Sequence, residues 1–209
     1  MKRNTFSLIL DTALFLFSTK GFGYTSMSDI ASSLSITKAA LYKHFASKEE
    51  ILLGVMEMMD REDRSRAEEM DVPALLPEEG GDYGNVDLES FRDYALSQFS
   101  YWTEDKRARE YRHFLSIERF NDEKCRRKWD ENFVQGPMDY TQQVLLYHFP
   151  SDGEDRAFRL WSAMFLSYAL SDEGEDGKKT KERLKRTIDE ILEVKNGIQK
   201  AWKMGAEGQ

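Results

Sequence analysis

The chain has 209 residues, 40% of them hydrophobic, enough for one large domain or for a small module joined to a larger one, which excludes a peptide held together by cross-links. A single cysteine, Cys125, excludes an intrachain disulfide and a cysteine-based zinc cage, and fits a reducing compartment such as the cytoplasm. The formal net charge of −8 argues by itself against a nucleic-acid partner, but residues 1–50 carry +2 and the remainder −10, an asymmetry that points to two modules with different partners.

Met1-Lys2-Arg3 precedes an apolar run from Phe6 to Phe17. Asp11 interrupts that run and no small-residue cleavage pattern follows it closely, so an amphipathic helix explains it better than an export signal. Met1–Asn4 reads equally as a frayed tail or as a basic arm that touches DNA. Leucine and methionine outnumber valine and isoleucine about two to one, and the prolines fall at Pro73, Pro77, Pro137 and Pro150, away from long stretches free of this helix breaker. An all-α fold follows, of about nine helices. The spacing predicts a first helix over 5–20, with Phe6, Ile9, Ala13 and Phe17 on one face and Gly21 as its stop. A short helix over 26–34 opens at Ser26-Met27-Ser28-Asp29, a capping-box variant. Thr37 caps a third helix reaching Phe45, and Ser47-Lys48-Glu49-Glu50 is a full capping box opening a fourth that runs to about Met70. The core of the first three helices is expected to hold Phe6, Ile9, Ala13, Phe17, Ile30, Ala31, Leu34, Ile36, Leu41 and Phe45. Residues 71–86 read as the longest loop. Helices are then expected over 87–104, 106–120, 122–149 with a bend at Gly136-Pro137, 154–171 and 178–203. The longest stretches without a charged residue, such as Leu160–Ser171, fall well short of the roughly 20 residues a membrane span needs, so no membrane partner is expected.

Two short helices joined by a tight turn form the helix-turn-helix plan, whose second helix enters the DNA major groove. On the third helix Leu41 and Phe45 share the inward face, leaving Lys38, Ala39, Tyr42 and Lys43 outward. Small Ala39 and Ala40 permit close approach to base edges, and Thr37, Tyr42, Lys43 and His44 offer donors to phosphates. Thr25 and Ser26 place hydroxyls and backbone N–H groups at another helix start, and Lys48 does so at the fourth helix.

The run from Phe22 through Ala31 (FGYTSMSDIA), then Ser35 through Phe45 (SITKAALYKHF), then Lys48-Glu49-Glu50, closely resembles the DNA-binding region of TetR-family repressors. The resemblance covers about residues 5–55. It implies an N-terminal three-helix DNA-binding domain (1–47) followed by a larger helical effector-binding and dimerisation domain (48–209). It implies that Thr37, Lys38, Ala39 and Ala40 lie nearest the bases, with Thr25, Ser26, Tyr42, Lys43, His44 and Lys48 on phosphates. Two positions depart from the family pattern. Ser35 stands where glycine is frequent, so a left-handed turn there costs about 1 kcal/mol. Ser28 stands where many members carry arginine or lysine, which removes one phosphate contact.

The implied function is a transcriptional regulator, a repressor that binds an inverted-repeat operator in double-stranded DNA as a homodimer and is released by a small hydrophobic or aromatic effector. The 154–171 helix is apolar nearly all round and must be covered on two sides. Family resemblance assigns it and the last helix to the dimer interface, with Phe158, Trp161, Phe165, Leu184, Ile188, Ile191 and Ile198 as candidates, and burial within a single copy is the alternative. It also implies an effector cavity among the helices of 87–149, with Tyr94, Trp102, Tyr111, His113, Trp129 and Tyr140 as candidate lining residues. No cofactor or metal is implied.

Two rival classes compete with this reading. A helical-bundle enzyme draws on Glu110-Tyr111-Arg112-His113, the Glu-x-x-His unit of di-iron centres, but such centres need a second copy and two further carboxylates. Gly177-Lys178-Lys179-Thr180 resembles the end of a phosphate loop, but Asp172 stands where the upstream glycine belongs. Cys125 is a buried thiol or a redox sensor. The other rival is a DNA-binding protein that answers to no effector.

Overall fold

The structure is a computed structural model, describing residues 5–69 and 86–193. Among these residues it has ten helices and no strands: α1 (Thr5–Lys20), α2 (Met27–Ser33), α3 (Lys38–Tyr42), α4 (Lys48–Glu69), α5 (Leu88–Glu104), α6 (Lys106–Glu118), α7 (Glu123–Phe133), α8 (Gln135–His148), α9 (Gly153–Asp172) and α10 (Gly177–Leu192). The all-α class read from the sequence is the observed one. Met1–Asn4, the expected loop over 71–86 except Val86, and the part of the last helix beyond Glu193 lie outside the described residues.

The tenth helix arises because the expected long helix over 122–149 is two. α7 ends at Phe133, and Val134 leaves helical geometry at φ −128°, ψ −89°. The cause is Pro137, which has no N–H to give the Phe133 carbonyl four residues earlier. It sits instead in the first turn of α8, where a missing donor costs nothing. The break therefore falls upstream of the Gly136-Pro137 bend expected from the sequence.

Two compact units emerge, one holding α1–α4, α6 and α7, the other α5 through Thr103 with α8–α10. In the first, α1 packs on α4 and α6, and buries Ile9, Leu10, Ala13, Leu14, Leu16 and Phe17. Leu41 and Phe45 from the α3 segment and Ile51, Val55 and Met59 from α4 are buried too. Each such side chain contributes roughly 1.5–3 kcal/mol. At Gly54 an added Cβ would lie 3.0 Å from Leu10 Cδ2 and 3.3 Å from the Phe45 ring, so α4 approaches α1 as closely as its lack of a side chain allows. Phe6, expected in this core, lies at its exposed edge, stacked on Phe45 with ring centroids 4.9 Å apart. Leu34 and Ile36 are half-buried. Arg107 of α6 holds Asp11 of α1 at 2.7 Å and also pairs with Glu62 of α4. Lys128 of α7 bridges Asp60 and Glu131, both at 2.9 Å.

Cys125 is buried in this unit, and burial pushes its thiol up to about 12. A thiol kept protonated and out of solvent is inert, the structural one of its two expected roles.

In the second unit α9 lies against α8 and α10. Phe99 of α5 stacks on Tyr168 of α9 at 5.7 Å, and Arg92 of α5 pairs with Asp189 of α10 at 3.5 Å. Arg156 of α9 fastens the end of α10: it donates to the Ile191 carbonyl and pairs with Glu193 at 2.7 Å and Asp152 at 2.8 Å, its guanidinium lying over the Phe149 ring. Among the described residues no helix is long and apolar enough to cross a membrane.

Candidate nucleic-acid interface

The helix-turn-helix is set by local chemistry. At the start of α2 the capping box is complete: Ser26 Oγ accepts from Asp29 N at 3.1 Å, and Asp29 Oδ2 accepts from Ser26 N at 2.8 Å. Hydrogen bonds from the Ser26 hydroxyl and N–H lower the Asp29 carboxyl to about 2, so the cap is ionised at neutral pH. At the other end of α2, Ser35 has φ 55°. Its N–H bonds the Ser32 carbonyl and the Ile36 N–H bonds the Ala31 carbonyl, both at 3.0 Å, the pattern of a Schellman stop. This is the left-handed turn whose cost was expected at Ser35. Replacing Ser35 with glycine removes that strain, less the entropy a glycine adds to the unfolded chain. A gain of about 0.5 kcal/mol is expected, read as a higher urea midpoint with an unchanged slope; a lower midpoint would contradict the strain argument.

Thr37 caps α3, its hydroxyl accepting from Ala40 N at 3.1 Å. The helix ends at Tyr42, earlier than the expected Phe45, but the chain keeps turning, with Phe45 N bonded to the Leu41 carbonyl at 3.1 Å. Leu41 is 0% exposed. Thr37, Lys38, Ala39, Tyr42, Lys43 and His44 are all exposed and Ala40 is half-exposed. The 3.6-residue repeat thus gives one buried anchor and a surface of two ammonium groups, a phenol, an imidazole and a small-residue step.

Two expected phosphate contacts are engaged elsewhere. Thr25 is 2% exposed, and its hydroxyl reaches the Gly21 carbonyl at 2.9 Å and the Leu16 carbonyl at 3.3 Å. It ties the α1–α2 connection to α1 and does not face outward. Lys48 donates to the Phe22 carbonyl at 2.6 Å with its ammonium 4.2 Å above the Phe22 ring. Sequence reading passed over Tyr24, which is exposed one residue before Thr25 and two before the α2 cap; an aromatic in a loop with no apolar periodicity around it was the available signal.

The effector candidates fall into two groups, one in each unit. Tyr94 and Tyr140 meet edge-on at 6.0 Å, with Phe91 also 6.0 Å from Tyr140. Trp102, in the same unit, is buried. In the first unit Tyr111 is fully buried, His113 half-buried, and Trp129 packs on Phe133 with the Arg119 guanidinium 4.3 Å above its ring.

The interface candidates also separate. Phe158 and Phe165 of α9 are 65% and 40% exposed, joined on the surface by Leu166, while Trp161 is half-exposed. Leu184, Ile188 and Ile191 are buried inside the protomer. Their stripe on α10 belongs to the chain's own core, because α10 packs on α9, and this corrects their assignment to a surface between copies. Ile198 lies outside the described residues. Among the described residues no group of three or more His, Cys, Asp or Glu side chains could hold a metal ion.

Residues 9–55 match the family model described as bacterial regulatory proteins, tetR family. A stretch of 43 residues is 51% identical to the biofilm operon icaADBC HTH-type negative transcriptional regulator IcaR of Staphylococcus epidermidis, and 54% identical to that of Staphylococcus aureus. The stretch covers 21% of this chain and 23% of those regulators, so the chain matches less than a quarter of their length. The likeness of fold is far wider. A transcriptional regulator from Aquifex aeolicus superposes with a TM-score of 0.65 at 21% identity, covering 90% of this chain and 99% of that one. SmeT, solved in complex with triclosan, gives 0.66 at 19% identity, covering 92% and 93%. Residues 9–55 thus carry the segment that the tetR family model describes, and the chain shares the fold of these solved regulators.

Proposed function

We propose that the protein is a DNA-binding transcriptional repressor that grips an inverted-repeat operator as a homodimer and lets go when a small hydrophobic or aromatic molecule binds. The observation that carries this reading is the face of α3, where Lys38, Ala39, Tyr42, Lys43 and His44 stand exposed around the buried anchor Leu41. Lys43, Tyr42 and His44 contact phosphates, whereas the Ser26 hydroxyl and N–H serve Asp29 in the α2 cap. Thr37, Lys38, Ala39 and Ala40 lie against base edges. Residues 1–47 form the DNA-binding domain and residues 48–209 carry effector binding and dimerisation.

The exposed stripe of Phe158, Phe165 and Leu166 on α9 pairs with its copy, and the pairing sets the separation of the two heads. Two recognition helices must reach successive major grooves about 34–36 Å apart. An effector that favours another separation weakens binding by its difference in affinity for the two states. The aromatic candidates Tyr94, Trp102 and Tyr140 in one unit, and separately Tyr111, His113 and Trp129 in the other, suit a flat apolar molecule, in keeping with triclosan in the SmeT complex.

The test separates backbone from base contacts. Lys43→Ala weakens binding to all duplexes alike, by about tenfold, and makes the salt slope shallower by about 2 for a dimer. Ala39→Arg changes which bases are preferred in selection from random sequence. Unaltered preference in the Ala39 variant would show that α3 does not read the groove in this orientation.

A further inference from the structure

Two charged side chains distant in sequence close on the backbone N–H and carbonyl of one residue. Glu118, the last residue of α6, accepts a hydrogen bond from the Phe22 N–H at 3.1 Å across 96 residues of sequence. Lys48, the first residue of α4, donates to the Phe22 carbonyl at 2.6 Å. Phe22 belongs to the connection between α1 and α2. Its carbonyl also accepts from Thr25 N at 3.2 Å, closing the turn that delivers Ser26 to the head of α2. The turn passes directly under the carboxylate: at Gly21, with φ 88°, an added Cβ would lie 3.7 Å from Glu118 Oε1. Glu118 is itself buried and Phe22 half-buried, so loss of the carboxylate leaves the Phe22 N–H without its protein acceptor. Phe22 is thus held at its N–H by α6 and at its carbonyl by α4, four residues before the Ser26 cap of α2.

We propose that Glu118 is a positioning residue for DNA binding. Its carboxylate oxygen fixes the α1–α2 connection, and through it the setting of α2 against α3 and the approach of the exposed Tyr24 to the phosphate backbone. The inference rests on the DNA-binding reading above and extends it to a residue 63 positions beyond the end of the matched segment 9–55. The helix-turn-helix stretch alone carries neither the acceptor nor the helix that presents it.

The test uses the full chain and a duplex that the wild-type protein selects from a random-sequence pool. Glu118→Gln keeps an acceptor oxygen in place without charge; Glu118→Asp keeps the charge and draws the acceptor back by one methylene; Glu118→Ala removes both. The expected order is Glu118→Gln within about twofold of wild type, and Glu118→Asp and Glu118→Ala weaker by about fivefold or more, well below each variant's thermal midpoint. Exchange of the Phe22 amide with deuterium speeds up about tenfold or more in Glu118→Asp and Glu118→Ala but not in Glu118→Gln. Equal losses for Gln and Ala, unchanged binding in Glu118→Asp, or unchanged Phe22 exchange overturns the role assigned to Glu118. If Glu118→Ala fails to fold, the contrast between Gln and Asp decides the matter alone. A wild-type protein that selects no duplex overturns the DNA-binding reading itself, whereas wild-type binding with no loss in Glu118→Asp overturns only the positioning role.

Discussion

A Phe158→Asp, Phe165→Asp double variant is expected to sediment as a monomer and to bind an inverted-repeat duplex at least about 100-fold more weakly than the wild type. The two rings lie seven residues apart, two turns along one face of α9, and both are exposed beside Leu166. Covering each ring contributes roughly 1.5–3 kcal/mol, and a symmetric pairing covers both rings on each of the two copies. An aspartate at either position must give up its water to enter the same contact, at a cost of several kcal/mol when it finds no partner. Binding falls with dimerisation because two linked heads bind the second half-site at an effective concentration that a monomer lacks. The stability of the protomer is expected to change little, since neither ring is part of its core. A double variant that remains dimeric would place the pairing surface elsewhere.

Gly153→Ala is expected to be among the most destabilising single substitutions in the chain, at about 3 kcal/mol or more. Gly153 opens α9, where the chain returns from α8, and a Cβ there would lie 2.6 Å from Leu146 N and 2.7 Å from both Leu145 C and Leu146 Cα. These are backbone atoms of a helix and cannot swing aside as the end of a side chain can. To admit one methyl group α9 must lift from α8, loosening the packing of buried Val144, Leu145, Ala157 and Leu160. The cost outweighs the roughly 1 kcal/mol by which alanine improves on glycine in a helix. Urea unfolding followed by circular dichroism reads the effect, and a midpoint equal to that of the wild type would mean that the α8–α9 approach is not that close. By contrast Gly54→Ala meets the Leu10 and Phe45 side chains, which can shift, and is expected to be much milder.

The features legible in the sequence were those set by neighbours within one or two turns. The apolar repeat of α1, the Ser26-to-Asp29 box, the Thr37 cap and the outward face of α3 all depend on spacings of three or four residues. Ser35 was legible because a left-handed stop follows from how α2 must end. The break at Val134 came from Pro137 acting through the Phe133 carbonyl it cannot bond, so the effect appears three residues before its cause. Leu184, Ile188 and Ile191 form a repeat that reveals a buried face but is silent on what buries it; only the packing of α10 on α9 decides that. The engagement of Thr25, Lys48 and Glu118 around the α1–α2 connection was not legible at all, because it joins α1, α4 and α6 across as many as 96 residues.

The central claim, that the exposed face of α3 binds the backbone of duplex DNA in two copies, is tested most directly by the affinity for a selected duplex as salt is raised. Lys43 at the phosphates and Lys38 in the groove put four ammonium groups of the two heads into the counterion layer of the duplex, so log affinity is expected to fall against log salt with a slope of about −3 to −4, and with a slope shallower by about 2 in Lys43→Ala. A slope near zero, or one that Lys43→Ala leaves unchanged, would contradict the account.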